Sequence, residues 1–154
     1  MKYNKQEQKL LAIWAANTAE RVLLIFEKEF PKDNRPRKAI EACRTWVSTE
    51  VFKMKDIRKA SLDAHAAARK ADEGSSARFA ARAAGQAVAT AHVPEHAFGP
   101  AYYSLKIAAS SPNPKFEITK ELNLLTKSLP KKLREGWKEW QLKRLPKNLK
   151  KFLI

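Results

Sequence analysis

Five residues, "HVPEH" at positions 92 to 96, have the types and order of a zinc-peptidase site. The pattern H-x-x-E-H offers two imidazole ligands and a glutamate that can act as general base. Such a site works only if both histidines leave one face of an unbroken helix and converge on one ion. Pro94 stands between them. It has no N–H for the helical ladder, and it pushes Val93 out of helical backbone geometry. His92 is therefore expected to end one helix and His96 to open the next. A further ligand would have to come from Glu117, Glu121, Glu135 or Glu139, all in a basic stretch. The chain is also short for the large domain such peptidases use. We expect no metal and no cofactor.

A second constellation is built from arginines and histidines at helical spacing. Arg58, Leu62, His65 and Arg69 fall on one stripe; Arg78, Arg82, Gly85, Ala89 and His92 fall on another. Arg37, Glu41 and Arg44 make a third. Small residues surround them in "AHAAAR" and "ARFAARAAGQAVATAH", so helices can approach closely and hold the polar heads near a seam. Acids such as Glu20, Asp33, Glu41 or Asp63 could pair with these arginines, which would make them structural. Arginine forks left without an acid suit the carboxylate or phosphate of a partner. No nucleophile accompanies them: the serines sit at caps and breakers, and there is no glycine-rich phosphate loop. The chain is expected not to be an enzyme; catalysis by His65, His92 and His96 is the one enzymatic rival.

These side chains need helices to position them. Residues 60 to 109 contain 18 alanines, the chain has only four glycines, and no alternating β pattern occurs. That composition favours helix. Leu10, Leu11, Trp14, Thr18, Arg21, Val22 and Ile25 place a first helix over about 6–28, ended by Pro31. A second starts at Pro36 and runs to about Ser48. A third covers about 55–71, a fourth runs from a Ser76 cap to about Ala91, and a fifth from Pro94 to near Ser110. "SSPNP" then marks a boundary between a core, 1–112, and an extension, 113–154, packed on it. In the extension "LPKKLRE" and "LPKNLKK" repeat sixteen residues apart, as two short basic amphipathic helices. The fold expected is an all-α bundle of about five core helices with a basic helical extension.

The single cysteine, Cys43, excludes an internal disulfide and falls on the buried face of its helix. With no apolar run long enough to span a membrane and a polar amino terminus, a cytoplasmic protein is expected. The net charge is +15, of which the last 42 residues contribute +8. A basic surface asks for an acidic partner. Lysines mixed with Trp137, Trp140 and Phe152 could track a nucleic-acid backbone or lie on an acidic membrane. The tryptophans could equally cover the core and leave the lysines in water.

"RPRKAIEACRTW" (35–46), "AHAAARKA" (64–71), "AARAAGQAVATAHVPEHAFGPAYYSLKIA" (80–108) and "WQLKRLP" (140–146) together resemble a family of small bacterial immunity proteins of polymorphic toxin systems. The similarity covers most of residues 6 to 146. It implies an all-helical protein that binds and neutralises a cognate toxin in the cytoplasm; a monomer or homodimer is expected. Arg35, Arg37, Arg44, His65, Arg69, Arg82, His92 and His96 are the matching positions and the candidates for partner or anion binding. Gln86 stands where many members carry histidine, which counts further against a metal. An inhibitor that plugs a nuclease site replaces nucleic acid and would be acidic; a +15 chain has the wrong sign. The expected toxin is therefore not a nuclease, or the contact lies away from its active site. The alternative is a basic nucleic-acid-binding protein that works through phosphate contacts.

Overall fold

The computed structural model describes residues 2–153. It contains eight α-helices: α1 (Lys5–Glu29), α2 (Arg35–Thr49), α3 (Met54–Ala68), α4 (Ser76–Ala89), α5 (Phe98–Ala109), α6 (Pro114–Ser128), α7 (Arg134–Arg144) and α8 (Lys147–Lys150). Two short 3₁₀ turns, Pro94–Ala97 and Lys131–Leu133, lead into α5 and α7. Among the described residues there is no strand.

The centre of the bundle is α4, which packs on α1, α2, α3 and α5. Its buried positions are Ala77, Ala80, Ala81, Ala83, Ala84, Gly85, Ala87 and Val88. A helix with such a thin coat of side chains can be surrounded closely on several sides, whereas bulky ones would hold the neighbours apart. The volume is filled from the outer helices instead. Leu11, Trp14, Leu23 and Phe26 of α1 are buried, as are Ile40, Cys43 and Trp46 of α2. Each large side chain stabilises the fold by roughly 1.5–3 kcal/mol through burial.

Local signals set the ends. Asn4 caps α1 by accepting from the Glu7 N–H at 2.8 Å, and Glu7 Oε1 accepts from the Asn4 N–H at 3.0 Å, a reciprocal capping box. Ser75, one residue before the expected Ser76, caps α4 by accepting from the Arg78 N–H at 3.2 Å. The third helix ends at Ala68, earlier than its apolar pattern suggests, and turns through Gly74 at φ 78°. The left-handed backbone there suits glycine.

The extension holds more structure than the two expected basic helices, because the fifteen-residue α6 precedes them. The repeat itself folds as expected: Pro130 and Pro146 sit at the N-cap of their turns, and Leu129, Leu133, Leu145 and Leu149 are all buried. Trp137 is also buried, with its ring 5.6 Å from Trp14 and 5.8 Å from Phe98. The Trp14 indole N–H donates to Leu125 O and to Ser128 Oγ, both at 3.1 Å. Among the described residues no helix is long and apolar enough to cross a membrane.

Candidate functional site

Of the eight residues singled out in the sequence, the three arginines of α2 and the three histidines separate into two places. Arg82 is joined to the second through His65, and Arg69 lies in neither. Arg35, Arg37 and Arg44 lie on α2 and turn toward carboxylates. Arg35 makes a two-pronged bond to Asp33 at 2.7 and 2.9 Å, and Lys70 adds to the same carboxylate at 3.4 Å. These bonds hold the Asp33 carboxyl down at about 2. Arg37 grips Glu27 by donating from Nε and Nη2, at 2.7 and 2.6 Å. Arg44 reaches Asn17 at 3.0 Å and Glu20 at 3.3 Å. The three arginines tie α2 to α1 and to the loop between them.

The histidines go elsewhere. His65 on α3, His92 after α4 and His96 in the 3₁₀ turn line one cavity of about 210 Å³, with Arg58, Ser61 and Gln86. Pro94 opens the 3₁₀ turn, with Val93 extended at φ −132° and ψ 115° before it. The two histidines of "HVPEH" therefore leave different elements, as the proline requires. Among the described residues, no three of His, Cys, Asp and Glu group as a metal site would need.

Arg82 sets the state of His65. Its Nη1 lies 2.9 Å from His65 Nδ1. A guanidinium can only donate, so Nδ1 accepts and the ring proton sits on Nε2. Burial, then the charges of Arg82 and Arg69, push the His65 imidazole down to about 4, so the ring is neutral at pH 7. Gly85 makes room for it: a Cβ at that position would come 2.7 Å from His65 Nε2. Ser61 Oγ donates to the Gly85 carbonyl at 2.9 Å and closes the same α3–α4 contact.

His96 Nδ1 lies 2.9 Å from Gln86 Oε1 and donates to it, which leaves Nε2 as the unoccupied ring nitrogen. Burial lowers the His96 imidazole from its ordinary value, His92 lowers it further, and Glu95 opposes. A Cβ on Gly99 would meet Gln86 Cβ and Cγ at 2.6 Å, so this glycine too allows a polar side chain to lie against a helix. His92 is exposed and stacks on Phe52, ring centres 6.4 Å apart and planes at 22°. Arg69 is exposed and forms no ion pair among the described residues.

Sequence reasoning named Leu62 in its stripe but missed the rest of the rim. Phe52, Met54 and Leu62 are all exposed; Met54 and Leu62 line the cavity directly, and Phe52 stacks on its His92. Their signal was faint, since "EVFKM" reads as a loop with a few apolar residues. Ser61 carried none, and Gln86 was marked only as a departure from the family's histidine. A larger hollow of about 450 Å³ between α6 and α7 gathers none of the eight residues.

The fold defines the class: a small all-helical bundle built around one alanine-rich helix. The chain belongs to the Imm-5 like putative immunity protein family, whose sequence model matches residues 1–148. No curated protein and no solved structure matches it.

Proposed function

We propose that this chain is a non-catalytic immunity protein that neutralises a cognate bacterial toxin by binding it, and that the histidine cavity with its rim is the contact face. One observation carries the reading. Phe52, Met54 and Leu62, 41, 36 and 59% exposed, gather where a pocket opens between α3 and α4: Met54 and Leu62 line it, and Phe52 stacks on its His92. Apolar side chains clustered around a concave, hydrogen-bonding centre form the kind of surface that protein interfaces bury. Family membership supports a protein partner. The +15 charge argues against a surface that mimics nucleic acid inside a nuclease site.

The test is capture of the neighbouring gene's product by the tagged protein, followed by Phe52→Asp and Leu62→Glu. Neither side chain is part of the buried core, so folding should be kept. Each change should weaken toxin binding by about 2 kcal/mol or more, the scale of an interface hot spot. Toxin binding left intact by both would remove this face from consideration.

A further inference from the structure

We propose that the cavity takes a carboxylate side chain of the protein partner, an aspartate or glutamate that meets Arg58 and the imidazoles of His92 and His96. This rests on the reading of the surrounding face as the toxin contact and gives that contact its chemistry.

No carboxylate lines the cavity, although the chain has sixteen Asp and Glu. Arg58 is exposed and forms no ion pair among the described residues, unlike Arg35, Arg37 and Arg44, each of which has an acid of its own. An arginine with its fork unclaimed, at a cavity that holds three imidazoles and no acid, complements an anion. The volume limits what can enter. About 210 Å³ is below the ~300–1,000 Å³ of pockets that enclose drug-sized ligands, and it suits one side chain. The apolar rim adds contact that a partner surface can cover, so a carboxylate presented by a protein gains more there than the same carboxylate alone.

The hydrogen-bond directions set what happens to the proton. His96 Nδ1–H is committed to Gln86, so its free Nε2 is an acceptor in the neutral ring and would face a carboxylate lone pair to lone pair. One proton taken from water onto Nε2 turns that repulsion into a charged hydrogen bond. His65 does not compete for it, because Arg82 occupies its Nδ1 and Arg69 adds a second positive charge. Burial and then His92 oppose protonation of His96, Glu95 favours it, and His96 in turn weighs against protonation of His65. A bound carboxylate raises the affinity of His96 for a proton, so the carboxylate is held more tightly as pH falls from 8 to 6.

The full-length protein with ¹⁵N-labelled histidine would be titrated with N-acetyl-glutamate N-methylamide and with its glutamine counterpart. The glutamate probe should move the His92 and His96 ring signals, more strongly at pH 6 than at pH 8. Arg58→Ala should weaken that response about tenfold, the worth of one charge-assisted hydrogen bond. The glutamine probe should have no such effect. Equal responses to both probes, or none to glutamate, would overturn the inference. Its failure is separable from that of the toxin reading, because the probe needs no toxin. Toxin binding that depends on Phe52, with a silent glutamate probe, removes the carboxylate alone.

Discussion

His65 shows how one residue's surroundings become a stability effect. Its ring is held against α4 where Gly85 leaves space, and its Nδ1 takes a hydrogen bond from Arg82 that protonation would destroy. The folded value of about 4 lies below the ordinary 6.5. As pH falls through 6.5 the unfolded chain takes up the proton first, so the folded state loses stability from there down to about 4 and then levels off. His65→Gln keeps an acceptor for Arg82 without the titration. Between pH 6.5 and 4 the variant should lose less stability than the parent, by about 1–2 kcal/mol once solvent screening at this partly open site is allowed for. Urea unfolding at several pH values checks it. Parallel curves would mean that His65 is not held neutral.

At the scale of elements, α6 and α7 cover the open side of α1 and α5. Trp137 rests on Trp14 and Phe98, and Arg21 of α1 reaches Glu121 of α6 through two bonds, at 2.9 and 3.0 Å. Arg134 donates to the carbonyls of Leu129 and Lys127 and so caps the end of α6. We propose on this basis that residues 113–154 are a structural flank of a core formed by 1–112. Their removal would strip cover from Trp14 and Phe98 and leave the Trp14 N–H without its acceptors. The melting temperature should fall by on the order of 10 °C, with aggregation, in a thermal melt. A truncated chain that melts with the parent would make the extension an independent appendage.

For the whole molecule, charge decides how it meets partners. Lys131, Lys132, Lys138, Lys143, Lys147, Lys150 and Lys151 form no ion pair among the described residues, while Trp137 beside them is turned inward. Stacking platforms for single-stranded nucleic acid need their aromatic faces open. The intact protein at physiological salt should therefore bind generic duplex DNA no tighter than about 1 µM, the range of non-specific phosphate contact. An acidic toxin should be recruited through the same field, with an association rate that falls about tenfold from low to high salt while dissociation changes little. Stopped-flow binding and a DNA titration read both. Nanomolar, salt-sensitive DNA binding that disappears on removal of 113–154 would favour the nucleic-acid reading instead.

The sequence by itself determined the helices and the break inside "HVPEH". Alanine content, proline positions and three-and-four spacing are properties of neighbouring residues, and Pro94 acts on the backbone of Val93 wherever the segment lies. The five core helices were legible for that reason, to within a few residues at their ends. The repeated "LP" turns were legible as short amphipathic elements, and the structure shows that all four of their leucines are buried. What the tertiary structure decided was which polar groups meet. The stripes on α2, α3 and α4 looked alike in sequence, yet the α2 arginines found Glu20, Glu27 and Asp33, while Arg82 found a histidine and Arg58 found no acid. Helical spacing says which residues share a face, not which helix that face will touch or at what height. Asp63, an acid offered to the arginines by its position in sequence, pairs with Lys59 one turn before it. The cavity joins residues from Met54 to His96 because α3 and α4 lie side by side, in a register set partly by the missing side chain of Gly85. That register comes from packing between segments far apart in the chain, and no local pattern encodes it.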